Sequence, residues 1–224
     1  MNIKTIGFLG AMLGLPFTGC TSLNQQPKQI QISTMKSLQL STAEPILAYF
    51  SKESGTSSCG CDTGYSKTAV EDGYYRKLLG RDINGRYYVQ DFYQENSKPQ
   101  TEPFWIKDPE GLNSFQSSYV DGPITILSKN GKTIFKATIQ DYELIGISQS
   151  FYQNGQLAQE NDYERFGEIH QKLWYENGKP AADAVLDLDY QIIKAQFWNL
   201  QGELVTDDDE IQAIADAIEQ KTAL

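Results

Sequence analysis

The chain has one histidine, His170, and only three cysteines among its 224 residues. A lone imidazole excludes histidine-rich metal centres and leaves His170 as the sole candidate for a His-based dyad. No Gly-x-Ser-x-Gly, no His-Glu-x-x-His and no phosphate-binding loop occurs. Gly80-Arg81-Asp82-Ile83-Asn84-Gly85 has the glycines but lacks the Lys-Ser/Thr that cradles phosphate. Basic residues are also scarce, 19 against 29 acidic, for a net charge of −10. That deficit disfavours nucleic acid and anionic headgroups as ligands, and leaves basic partners or divalent cations. The apolar run at 6–17 is too short to span a bilayer. Aromatics, by contrast, are plentiful: 13 Tyr, 10 Phe and 3 Trp, with 18 Gly. That mixture points to β structure rather than a helical bundle.

Residues 1–20, MNIKTIGFLGAMLGLPFTGC, have the layout of an export signal. Lys4 supplies the positive start, 6–17 the apolar core, and Thr18-Gly19 the small residues ahead of Cys20. Phe17-Thr18-Gly19-Cys20 resembles the lipobox of bacterial lipoproteins, with Phe17 standing where that family prefers leucine. The resemblance implies that 1–19 are removed and that Cys20 then carries acyl groups. Two or more acyl chains hold a protein on a membrane durably. Thr21 replaces the Asp that the family uses for inner-membrane retention, so the expectation is an outer-membrane anchor, periplasm-facing or surface-exposed. The plainer alternative is a cleaved signal with a coincidental cysteine. About 205 residues would remain, enough for one substantial domain or two small ones. Loss of Lys4 would take the balance to −11.

Residues 20–40 are polar and Gln/Ser/Thr-rich, and read as a tether. Ser41-Thr42-Ala43-Glu44 matches a capping box, and Ile46, Leu47 and Phe50 follow at helical spacing. The pattern predicts a short helix over 42–53, ended by Gly55. Residues 54–68 form a loop carrying Cys59 and Cys61. In an exported protein this pair can close a local or intermolecular disulfide, stay reduced, or supply two metal ligands that would need others. No metal and no cofactor is expected.

From residue 73 the chain repeats itself. Phe151-Tyr152-Gln153-Asn154-Gly155-Gln156-Leu157, Trp174-Tyr175-Glu176-Asn177-Gly178-Lys179-Pro180 and Phe197-Trp198-Asn199-Leu200-Gln201-Gly202-Glu203-Leu204 superpose at a period of 23. Fainter copies lie at Ser128-Lys129-Asn130-Gly131-Lys132-Thr133, Asn84-Gly85-Arg86 and Phe92-Tyr93-Gln94-Glu95-Asn96. Asn-Gly between strand-like runs predicts a type I′ turn, with return reversals at Gly146 and Gly167. Each unit is a hairpin that cannot bury its face alone, so neighbours must stack. The expected fold is mainly β, an elongated antiparallel sheet of repeated hairpins over 73–205. The unit resembles the variant MORN repeat of bacterial antitoxin-like proteins, well over 125–205 and poorly over 73–124. The last copy, with Leu200-Gln201-Gly202, suggests a wider turn. MORN proteins act as binding or scaffolding surfaces, and the resemblance implies no reaction.

Asp207, Asp208, Asp209 and Glu210 precede Ile211, Ile214, Ala215 and Ile218, which fall on one helical face. They predict an amphipathic helix over 207–221 that caps the open sheet end, in preference to a cation site. Superposing the repeats by Phe151, Trp174 and Phe197 puts His170 in the slot of Ile147 and Ile193. His170 is then either a pH-sensitive or ligand-touching group on the concave face, or a partly buried imidazole with a partner. Asp187 and Asp189, Tyr74-Tyr75 and Tyr87-Tyr88 read as surface and packing residues before catalytic or stacking ones. The expectation is a non-enzymatic module that binds an envelope protein through Tyr152, Tyr175, Trp198 and His170. An immunity protein against a delivered toxin is the alternative, and a redox or metal protein built on Cys59 and Cys61 a third.

Overall fold

The computed structural model describes residues 39–51, 65–163 and 167–222. The expected signal and Cys20, and the Cys59–Cys61 pair, lie outside the described residues.

The mainly-β expectation holds, with antiparallel hairpins distributed over two sheets. The first contains β1 (Gln39–Leu40), β2 (Ile46–Phe50), β3 (Tyr65–Ser66), β4 (Tyr74–Arg81), β5 (Tyr87–Tyr93) and β6 (Phe104–Ile106). Its order is β3-β2-β4-β5-β6, with β1 also on β4. Two short 3₁₀ turns, Pro109–Asn113 and Ser117–Tyr119, lead to the second sheet. That sheet runs β7 (Gly122–Leu127), β8 (Thr133–Gln140), β9 (Glu143–Phe151), β10 (Leu157–Asp162), β11 (Glu168–Trp174), β12 (Pro180–Asp187), β13 (Ile192–Trp198) and β14 (Leu204–Val205). Each of its strands pairs with the next in sequence. Helix α1 (Asp208–Thr222) closes the described chain.

The helix expected over 42–53 is strand β2 instead. Residues i and i+4 share a face in a strand as well as in a helix, so Ile46 and Phe50 fit both periods. Glu44, with φ +40, turns the chain, and β2 then pairs with β4. Ala48 and Phe50 go inward while Leu47 and Tyr49 are only half-buried. Tertiary pairing overrides the capping signal.

The repeat turns are also not type I′. Tyr152 N–H donates to Gln156 O, Gly155 N–H donates to Tyr152 O, and only Gly155 has positive φ, +92. This is a three-residue loop in which a left-handed glycine makes a bulge. The same two bonds recur at 82–86, 128–132, 175–179 and 199–203. The last copy therefore has no wider turn, and its register puts Trp198 opposite Leu204 as Phe151 is opposite Leu157. Trp198, not Phe197, is the counterpart of Trp174. A one-residue shift exchanges the faces of a strand, so Phe197 is core and Trp198 is not. The sequence period is thus 23, then 24. A true two-residue reversal occurs where no glycine stands, at Asp141 and Tyr142 (φ +51 and +72), between paired Gln140 and Glu143. Gly146 instead lies within β9. At 187–191 the three-residue loop returns with Tyr190, φ +60, in the glycine position.

The inner face of the second sheet is apolar at both ends and polar between. At one end Ile124, Ile126, Phe135, Ala137 and Ile139 meet Val89, Phe104 and Ile106 of the first sheet. At the other, Leu173, Ala182 and Phe197 meet Ile211, Ile214 and Ile218 of α1. The helix thus covers the inner face and is not confined to the sheet end. Asp207 caps it, its carboxylate accepting from Glu210 N–H at 3.0 Å. Between the two clusters lie buried Ser148, Ser150, Gln159, Asn161 and Gln171. Gln159 and Gln171 both donate to Asn161 Oδ1, at 3.1 and 3.0 Å.

Candidate functional site

The residues expected to meet a partner divide between two roles. Tyr152 is only 2% exposed, and its hydroxyl donates to Trp174 O at 2.6 Å. Tyr175 repeats the contact one hairpin on, donating to Trp198 O at 2.7 Å. Tyr93 makes it between the two sheets, to Leu127 O at 2.7 Å. In each case the acceptor is the residue just before the next loop, so the first tyrosine of one hairpin ties down the entry of the following one. Tyr152 accordingly offers no surface to a ligand.

The loops are stitched along the same rim. Lys129 pairs with Glu95, Lys132 Nζ donates to Gln153 O at 3.1 Å, Asn154 Nδ2 to Glu176 O at 3.1 Å, and Lys179 Nζ to Leu200 O at 2.8 Å. Within a loop, Asn154 and Asn177 accept from the backbone N–H two residues on, and where the first loop residue is Asp82, Ser128 or Asn199 that side chain accepts from the N–H four residues on, at the same closing position. Asp187 has this same turn-fastening part, accepting from Asp189 and Gln191 N–H.

The tyrosine ladder has a pH signature. Burial raises the phenols of Tyr93 and Tyr152 from 10.0 to about 12. A group with a raised folded pKa contributes fully below its unfolded value and loses that contribution as pH rises through the folded one. Stability measured by urea titration is therefore expected to fall between about pH 10 and pH 12. A Tyr93→Phe/Tyr152→Phe chain should show a flatter alkaline limb. A wild-type profile that stays level to pH 12 would contradict the ladder.

The opposite, open face of the second sheet carries Trp198 and His170. Strand register lines its residues up in rows. The row nearest the loops contains Phe151, Leu157, Trp174, Pro180, Trp198 and Leu204, paired as Phe151 with Leu157, Trp174 with Pro180 and Trp198 with Leu204. All are half-buried or exposed, Leu204 by 58%. The next row is Lys136, Gln149, Glu160, Lys172, Asp183 and Gln196. The row beyond holds Ile147, Asp162, His170, Val185 and Lys194. Lys194, not Ile193, is therefore the counterpart of His170, standing four residues before Trp198 as His170 stands four before Trp174. His170 is partly exposed, its Nε2 3.7 Å from Glu168 Oε2 on the same strand.

Phe151 and Trp174, with Leu157, Pro180 and Leu204, form the part of this face that the sequence expectation, centred on Tyr152 and Tyr175, leaves out. The signal was present as period-2 alternation: within one strand end the aromatic before the tyrosine points the other way. On the first sheet, Tyr75 stacks on Phe92 with centroids 5.3 Å apart, and Tyr88 lies 4.7 Å from Trp105. Both pairs are cross-strand neighbours packed on each other. Among the described residues no group of three or more His, Cys, Asp or Glu side chains is arranged to hold a metal ion. The described helix is not long and apolar enough to cross a membrane.

No family model matches the chain, and no curated protein matches it. Among solved structures it is similar to TarM, with 11% identity over 54% of this chain and 19% of that one, at a TM-score of 0.21. A mutant of S. aureus TarM in complex with Fondaparinux, alpha-GlcNAc-glycerol and UDP gives 12% identity over 54% and 20%, again at 0.21. The chain thus spans about a fifth of those proteins, and a likeness of that size carries no argument about function.

Proposed function

We propose that the protein is a non-enzymatic, lipid-anchored envelope module that docks a protein partner on the open face of its second sheet. The observation that carries this reading is the apolar row from Phe151 to Leu204, bordered by a row of mixed charged and amide groups. Aromatics held on a rigid sheet give contact area at low entropic cost, and a polar border confers selectivity. The polar groups of the face are set out in register along rows rather than converging, which suits recognition more than catalysis. The anchor rests on the resemblance of Phe17-Thr18-Gly19-Cys20 to a lipobox, and the outer-membrane location on Thr21 standing in place of the retention Asp.

Two measurements on the full chain in a bacterial envelope test this. Cys20→Ala should move the protein out of the membrane fraction, and unchanged fractionation would remove the anchor. A photo-crosslinker at Gln196 or Lys172 should trap a discrete protein adduct that the same group at Asp216, on α1, does not give. Identical adducts from all three positions would dismiss the open face as a docking surface. If the adduct were a toxin delivered from outside, the immunity reading would replace that of a resident partner.

A further inference from the structure

We infer that the element recognised by this face is a proline-rich segment in the polyproline II conformation, carrying a basic residue; the inference rests on the docking face proposed above. The first argument is spacing. Phe151, Trp174 and Trp198 sit on β9, β11 and β13, that is on every second strand. Neighbouring strands lie about 4.8 Å apart, so the aromatics recur every ~9.6 Å across the sheet. A polyproline II helix has three residues per turn and a rise of ~3.1 Å, so it presents the same side every ~9.3 Å. Prolines three apart therefore come down on successive aromatics, and two turns span all three.

The second argument is what lies between and beside the aromatics. The intervening row positions are Leu157, Pro180 and Leu204, all apolar, so the whole track is suited to prolyl rings and aliphatic carbons. The adjoining row supplies N–H donors at Lys136, Lys172 and Gln196, while Gln149 Nε2 already donates to Glu160 Oε2 at 2.9 Å. A polyproline II backbone has no internal hydrogen bonds, and proline has no N–H, so such a ligand offers mainly unpaired carbonyls. Donors on the protein and acceptors on the ligand match. Lys136 and Lys172 balance Glu160 and Asp183 within that row, but the chain carries −10 overall, and the Asp183 carboxylate offers a partner to one Arg or Lys of the ligand. Aromatic-lined surfaces that read proline-rich segments use the same elements.

The test is titration of the full chain with a synthetic peptide bearing proline at every third position and one arginine. It is followed by calorimetry and by the indole NMR signals. Saturable binding is expected, with shifts at the Trp174 and Trp198 indoles and not at Trp105. Trp174→Leu and Trp198→Leu should each weaken binding about tenfold or more, as truncation of an aromatic anchor does. Lys172→Ala, a surface change that leaves the aromatics in place, should weaken it too. Three results would overturn the inference: no saturable binding, equal binding of a peptide with its prolines moved off the three-residue period, or tighter binding of a neutral β-linked glucan oligosaccharide. If the peptide fails while the cross-link at Gln196 persists, the ligand class is wrong and the docking face stands. Loss of both removes the face itself.

Discussion

Arg76→Ala is expected to lower unfolding free energy by about 3–5 kcal/mol, the cost of leaving a buried partner charge uncompensated. Arg76 and Asp91 face each other on β4 and β5, with two bonds of 2.7 Å between guanidinium and carboxylate. Both side chains are almost fully buried. The guanidinium also donates to Gly111 O at 2.6 Å and Ser114 O at 2.9 Å, and lies 5.0 and 5.3 Å from the centroids of Phe50 and Phe104. It thus joins the first sheet to the 3₁₀ turn at Pro109–Asn113, where a Cβ on Gly111 would fall 2.4 Å from Tyr119 Cβ. Replacing both charges, Arg76→Met with Asp91→Leu, should recover part of the loss. It should not recover all of it, because the carbonyls of Gly111 and Ser114 would lose their donor. Urea denaturation of the three chains measures this. A single variant within about 1 kcal/mol of wild type would mean the pair is solvated, contrary to its burial.

Tyr152→Ala should cost a similar amount, about 3–5 kcal/mol, since a ring packed with Leu173, Ala182 and Phe197 is lost along with its hydrogen bond. Tyr152→Phe keeps the ring and should cost only about 1 kcal/mol, the net value of one hydrogen bond. The gap between the two variants separates packing from the ladder. Equal losses in the two would place all the stabilisation in the hydroxyl and none in the ring. These effects fall on folding, so they mark Tyr152 as a core residue whatever the open face binds.

The hairpin punctuation was legible because Asn, Asp, Ser and Gly act locally: the loops at 152–156 and 175–179 fall where their sequence puts them. The C-terminal helix was legible for the same reason, from Asp207 to Ile218. The phase of the last repeat was not. Phe197 and Trp198 are both aromatic, and only pairing with Ala182 and Leu204 tells which one is core. Tyr190 and the Asp141–Tyr142 reversal were equally hidden, since neither offers the glycine that positive φ favours. The candidate site suffered from the same ambiguity. Tyr152 and Tyr175 stand out in the sequence as aromatic and repeated, but the adjacent Phe151 and Trp174 are the ones turned outward.

By itself, then, the sequence determined that the chain is β-rich, that its hairpins recur, and where most of them turn, because these follow from dihedral preference and period-2 patterning over a few residues. Tertiary structure alone decided that the hairpins divide into two sheets, that 46–50 is a strand, and which member of each aromatic pair is exposed. Those outcomes depend on register between distant segments, and a shift of a single residue, which costs nothing locally, reverses the face on which every side chain of a strand lies.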